Sequence, residues 1–431
     1  MPRTSLLVMT LLATAVAPVA ADGGRLRFAD EVAYALDSPE TSSFVGSAVP
    51  RVVWRREIVL PGATSIAPHF VRFELAPGDE LVARDPENRR VWRYRSDAVE
   101  EDGLSAGDSS TGSSRGKTRE GGFWGVHIPG ERLLLELVSR GGSGGRKNGG
   151  GGFTLDALAR GFDPATSLFA PEEICGADDK LHAQCYATSD PAIYGGSRAV
   201  ARLAIQGQFL CTGWLVGSAG HLMTNNHCFS TEAEVDDTVY EFLAERSCAT
   251  NCPTLACPGT IVATSATLIR TNATIDYTLV QLPVDPTPTY GYLQMRSADA
   301  VVGERISIPQ HPAGRGKEIA VVSSDAHDGS GFAEIDSVSS SSGIYFGDTE
   351  SGSSGSPVIA FADRCVVVLH RGTMLCANGG NLGALSSRIV ADLGGLLPPD
   401  GGRASGLCIA GPLFADGFES HNTSAWSATV P

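Results

Sequence analysis

Long apolar runs are missing from this chain. After its first residues no segment offers the about 18 uninterrupted apolar positions a membrane-crossing helix needs, so no membrane partner is expected. No cysteine precedes Cys175, although ten fall between Cys175 and Cys408. An even number suits disulfides in an oxidising compartment, and their one-sided distribution marks a domain boundary. Positive charge is in deficit: 33 Lys and Arg face 48 Asp and Glu, leaving a net charge of −15. That balance disfavours an electrostatic grip on nucleic acid or an anionic surface. No nucleotide-binding signature is present and no Cys-x-x-Cys pair offers a zinc site, so neither cofactor nor metal is expected. Long helical patterns are scarce as well. Short alternating runs rich in Gly, Thr and Val take their place and indicate a mostly β protein.

At the start, Met1-Pro2-Arg3, the apolar stretch from Leu6 to Val16 and then Val19-Ala20-Ala21 read as a secretory signal peptide over residues 1–21. Secretion is therefore expected. A chain of 431 residues holds more than one domain on ordinary size grounds. The first, over 22–165, has strand-like runs at 51–59, 69–75, 80–82, 91–94, 122–127 and 132–138, broken by polar turns and by low-complexity loops at 103–121 and 141–152. This spacing predicts a small antiparallel β-sandwich. A second domain spans 171–397 and ends in Ser386 to Leu397, whose apolar residues fall at helical spacing. A Gly/Pro-rich tail over 398–431 contains the segment Asp416-Gly417-Phe418-Glu419-Ser420.

Three patches of the second domain carry chemistry: Thr224-Asn225-Asn226-His227-Cys228, Asp276 ahead of the strand-like Tyr277 to Leu282, and Gly352-Ser353-Ser354-Gly355-Ser356-Pro357. Singly, each has an ordinary reading. Gly/Ser tracts are often loops, an acid before a strand is often a solvated turn residue, and a histidine beside cysteine can be a core residue or a zinc ligand. Together they supply a nucleophile in a tight turn, a base, and a carboxylate to orient the base, which are the parts of acyl-transfer catalysis.

The order His, Asp, Ser is that of chymotrypsin-like proteases. From about 175 to 397 the chain resembles the secreted bacterial trypsin-like serine proteases, and within them is most similar to lysyl endopeptidase. The residues that carry the resemblance are CTGWLVG at 211–217, TNNHC at 224–228, DYTLVQL at 276–282, QHPAGRGKEI at 310–319, TESGSSGSPV at 349–358 and VLHRG at 368–372. It implies an all-β fold of two six-stranded antiparallel barrels, with His227 and Asp276 in the first and Ser354 in the second. It further implies that the domain over 22–165 is a pro-region, making the chain a zymogen, and that Cys175 pairs with Cys376, Cys185 with Cys248 and Cys211 with Cys228. The remaining Cys252, Cys257, Cys365 and Cys408 are most simply paired in that order. The expected activity is a serine endopeptidase acting as a monomer on proteins or peptides, with the NH groups of Gly352 and Ser354 as oxyanion donors, each about 3 kcal/mol by analogy with measured deletions.

For specificity, Asp348 lies six residues before Ser354, where trypsin carries the acid at the base of its primary pocket, so cleavage after Lys or Arg is expected. His370 is a second substrate-binding candidate. Ser353 stands where trypsin has the aspartate that pairs with a new N-terminus, so activation should not use that ion pair. A catalytically silent homologue serving as a secreted binding module is the alternative.

Overall fold

The computed structural model describes residues 25–39, 49–76, 78–95, 111–115, 122–139, 151–163, 174–250 and 252–408. The expected signal peptide, most of both low-complexity loops and the end of the tail lie outside these residues. Among the described residues no helix is long and apolar enough to cross a membrane.

Before residue 174 the chain forms two five-stranded sheets. One runs in the order Arg51–Val59, Arg132–Ser139, Glu80–Arg84, Val91–Arg95, Thr111–Arg115. The other runs Ala29–Asp37, Gly152–Gly161, Ser65–Glu74, Phe123–Trp124, with Ile128–Pro129 also on Ser65–Glu74. Pairing is antiparallel except between Val91–Arg95 and Thr111–Arg115, which are parallel. Alternation decides what faces inward: in Arg132–Ser139, Leu133, Leu135 and Leu137 are fully buried. They meet an aromatic core in which Phe70 stacks on Phe123 at 4.9 Å and meets Phe73 edge-on at 5.3 Å.

After residue 174 two larger, mainly antiparallel sheets follow, the second with parallel pairing where Met295–Arg296 meets Val366–Thr373 and Gly402–Arg403. The first has the order Thr260–Ala263, Thr238–Phe242, Val200–Ile205, Phe209–Val216, His221–Thr224, Tyr277–Gln281, Thr267–Asn272. Its eighth strand, Leu26–Arg27, comes from the start of the chain and pairs with Phe209–Val216. The second sheet, of ten strands, is centred on Ile306–Gln310, Pro357–Ala360, Val366–Thr373 and Asn381–Leu385. These curled sheets are the two barrel halves of the expected all-β, chymotrypsin-like fold. Each holds more pieces than six because short segments extend it: Leu26–Arg27 on Phe209–Val216 in the first, and Leu181–His182 on Glu318–Ala320 and Gly402–Arg403 on Met295–Arg296 in the second. The C-terminal helix Ser386–Leu393 is present and buries Ile389 and Leu393. Five disulfides, Cys175–Cys376, Cys185–Cys248, Cys211–Cys228, Cys252–Cys257 and Cys365–Cys408, use all ten cysteines in the expected pairs.

The N-terminal unit is not loosely tethered. Phe28, Ala29, Ala67 and Ala159 share a buried cluster with Ala204, Leu210 and Leu255 of the protease-like unit. Trp124 N donates to Asp237 Oδ1 at 3.0 Å, and His127, buried, has its Nε2 3.0 Å from Gly207 O.

Candidate active site

Two paired strands set the first half of the site. His221–Thr224 runs beside Tyr277–Gln281 with Thr224 opposite Thr278, so the turn leaving one strand and the residue preceding the other meet. His227 stands in that turn and Asp276 in that preceding position. Asp276 Oδ1 accepts from His227 N at 3.0 Å and Oδ2 from His227 Nδ1 at 2.9 Å, which fixes the ring and leaves Nε2 pointing away from the carboxylate. That Nε2 is buried and makes no hydrogen bond. Asp276 has a φ of 66°, a left-handed conformation that aspartate tolerates better than most residues. The preceding turn is shaped by Asn272, whose Oδ1 accepts from Thr274 N and Ile275 N. Burial pushes the Asp276 carboxyl up, but the hydrogen bonds and charge of His227, with the Arg371 guanidinium near by, outweigh it and hold the carboxyl below its usual range.

Ser354 reaches this pair through its backbone. Its carbonyl accepts from Thr212 N at 2.9 Å and lies 3.8 Å from Cys228 Sγ, next in the chain to His227. The Cys211–Cys228 bridge joins the two segments that Ser354 touches. Ser353 Oγ donates to Gln310 Oε1 at 2.5 Å, so the position before Ser354 is held by a neutral hydrogen bond. Gly352, at φ 97°, accepts at its carbonyl from Thr212 Oγ1 at 2.9 Å; a Cβ there would lie 3.0 Å from His311 O. Gly355, at φ 88°, leaves no space at all, since a Cβ would fall 2.1 Å from Thr212 O. Both glycines are therefore demanded by backbone conformation and close approach.

The pocket candidates fare differently. Asp348 does not offer a free carboxylate: Oδ1 accepts from Cys175 N at 3.0 Å and Oδ2 from Asp179 N at 2.8 Å, and the residue is buried. These two bonds tie Asp348 to backbone NH groups and speak against the expectation that it floors a pocket for Lys or Arg. It clamps the start of the protease-like unit instead, and burial pushes its carboxyl up to about 6. His370 lies on Val366–Thr373, directly beside the turn of Ser354, where Gly355 N donates to His370 O at 3.0 Å. Its ring is buried, with Nδ1 2.6 Å from the Tyr345 hydroxyl.

Several working residues had no assigned role in the sequence. Gln310 Nε2 donates to Asp348 O while its Oε1 holds Ser353. Arg315 pairs with Glu318 and with Glu350, the latter also met by Lys180, so that an ion network braces the turn carrying Ser354. All four of Gln310, His311, Arg315 and Glu318 lie in the QHPAGRGKEI patch, whose unusual density of polar side chains inside a β pattern was the available signal.

Residues 178–384 match the sequence model of the lysyl endopeptidase C-terminal domain. Over 355 residues the chain is 38% identical to "Secreted RxLR effector protein 73" of Plasmopara viticola, covering 78% of this chain and 81% of that protein. The chain belongs to the family of that protein. A match of that extent is longer than everything after residue 173, so the family shares part of the N-terminal unit as well as the protease-like one. Among solved structures, a Glu endopeptidase in complex with MPD is 17% identical with a TM-score of 0.37, covering 51% of this chain and 96% of its own. The active form of the Rv3671c protease from M. tuberculosis is 14% identical with a TM-score of 0.36, covering 56% and 96%.

Proposed function

We propose that the protein is a secreted serine endopeptidase. His227 takes the proton of Ser354 as its oxygen attacks a peptide carbonyl, and later returns a proton to the leaving amine. Asp276 holds the tautomer and stabilises the imidazolium. The NH groups of Gly352 and Ser354 receive the oxyanion. One observation carries the reading: Asp276 grips both the backbone and ring of His227, leaving a buried Nε2 with no partner beside the turn of Ser354. The five disulfides and the name of the Plasmopara viticola relative, a secreted effector, support secretion. We assign residues 171–397 to the catalytic domain and 22–165 to a zymogen domain, with 1–21 as signal peptide and 398–431 as tail. With Asp348 engaged elsewhere, specificity belongs to the surroundings of His370 and Tyr345, and its basic preference loses its support.

The effector name of the relative favours a second reading, a silent homologue that binds a partner. A fluorophosphonate reagent separates the two. The endopeptidase reading expects one adduct, on Ser354, absent in Ser354→Ala; a folded chain that stays unlabelled even when the zymogen unit over 22–165 is displaced supports the binding module.

A further inference from the structure

Leu26–Arg27 adds to a sheet that belongs otherwise to the protease-like unit, and it does so at the catalytic centre. Leu26 pairs with Leu210 and Arg27 with Phe209, immediately before Cys211. The Leu26 Cδ2 lies 3.1 Å from where a Gly352 Cβ would stand, so this side chain covers the glycine assigned to the oxyanion. Arg25 is held by a built pocket. Its Nη1 meets Glu234 Oε1 at 2.9 Å, its guanidinium lies 4.3 Å over the Phe209 ring, and the two charged side chains are only 14% and 19% exposed. Glu234 is itself fixed in the capping box of the short helix Glu232–Asp236, which follows the turn of His227.

Direction gives this contact a meaning. The pairing is antiparallel, and from Arg25 to Phe28 the chain moves away from Cys211, with Phe28 N donating to Gln208 O at 3.0 Å. A substrate chain bound along the same edge with the same polarity has its scissile bond before the residue in Arg25's place, and its leaving-group side where Arg25 to Arg27 now lie. Strand addition of this kind draws affinity from main-chain hydrogen bonds and selectivity from side-chain pockets. A covalently attached strand also competes at a high effective concentration.

We propose that Arg25–Arg27 is an internal peptide ligand of the cleft, and that the edge it covers is the leaving-group subsite for substrates with a basic residue followed by a large apolar one. The proposal rests on the endopeptidase reading. Arg25 fills the acidic, aromatic position between Glu234 and Phe209, and Leu26 fills the position over Gly352. While they remain there, an incoming substrate meets a closed cleft.

The experiment uses the full chain with Arg25→Glu, Leu26→Asp, and the charge swap Arg25→Glu with Glu234→Arg. Hydrolysis of an extended peptide library and fluorophosphonate labelling of Ser354 are measured on each. Expected are kcat/KM values at least about tenfold above the parent for the two single variants, corresponding to little more than 1 kcal/mol of lost internal binding, and a return toward the parent rate in the charge swap. In Leu26→Asp, the first two residues after the cut should be enriched in Lys or Arg and then Leu, and the peptide Arg-Leu-Arg-Phe should inhibit competitively. Equal peptide hydrolysis by parent and both single variants, with Ser354 labelled in all, overturns the internal ligand while sparing the endopeptidase reading. Faster cleavage with no basic-apolar enrichment overturns the subsite. No labelling in any form removes the endopeptidase reading and this proposal with it.

Discussion

Arg90 of the N-terminal unit forms an ion pair with Glu241 of the first protease-like sheet, and both side chains are buried, at 5% and 7% exposure. Glu241 Oε2 also accepts from Arg202 Nη2 at 2.7 Å, and its Oε1 from Gly259 N at 2.8 Å. Arg202 Nη1 donates onward to Gly314 O at 2.9 Å, in the turn that packs against Gly352. A chain of charged hydrogen bonds therefore leads from the N-terminal unit to Gly314, which lies against Gly352. Burial pushes the Glu241 carboxyl up, yet Arg202 and Arg90 outweigh it and bring it down to about 2.

Glu241→Gln should be costly, because it leaves two buried guanidinium groups without their counter-charge. A loss of about 3 to 5 kcal/mol is expected. Denaturant unfolding of the variant measures it; a loss below about 1 kcal/mol would show that water or other groups compensate. Cutting the chain between residues 163 and 174 should leave the N-terminal unit attached, with both fragments eluting together in size exclusion.

Acid should weaken the same interface. Burial between Ser65 Oγ and Gly207 O, with the positive charge of Arg90 near by, brings the His127 imidazole down to about 3. Between about 3 and 6.5 the unfolded chain then binds more protons there than the folded one, so stability falls as pH falls through that window, by about 1 kcal/mol per pH unit. Asp348, raised to about 6, acts the other way and loses stability as pH rises from about 4 to 6. Urea midpoints of His127→Gln and the parent, compared from pH 7 to pH 4, separate the two: the variant should lose the acid-side decline.

Asp348→Ala should lower stability by about 2 to 3 kcal/mol, since Cys175 N and Asp179 N lose their acceptor in a buried setting. The ratio of kcat/KM for lysine over neutral substrates should not change. A drop of tenfold or more in that ratio, at unchanged fold, would return Asp348 to the pocket.

Alanine at the two glycines flanking Ser354 should separate the proposed catalysis from folding. Gly352→Ala is strained but its Cβ contacts are 3.0 Å and longer, so the fold should hold while turnover drops on the order of a hundredfold through a misaimed NH. Gly355→Ala drives a Cβ into Thr212 O at 2.1 Å and should destabilise the domain more than Gly352→Ala does. Thermal melts and active-site titration of both variants rank the effects.

What could be read from the sequence was local. Arg51–Val59 and Arg132–Ser139 follow alternating patterns and form strands almost where those patterns lie. The patches around His227, Asp276 and Ser354 were legible because each is a contiguous motif. Ala29–Asp37 was missed since it lies at a sheet edge with most side chains partly or fully exposed, leaving little apolar signal. The backbone partners of Asp348 were not legible, because position relative to Ser354 says nothing about which NH groups come to meet the carboxylate. The partners of Thr212, Arg202 and Arg25 lie from 39 to 209 residues away, and no periodicity announces them.

The strand at Leu26–Arg27 also has a bearing on how the molecule is made. Its residues are among the earliest in the chain, yet Arg25 is separated from Glu234 by 209 positions, and Cys175 from Cys376 by 201. Contacts of such separation form only after the intervening chain has paid its loop-closure entropy, which slows folding. The first sheet of the protease-like unit thus stays one strand short until the opening segment returns to it. Leu26–Arg27 therefore closes the edge of a sheet whose other seven strands all come from between Val200 and Gln281, and joins it late.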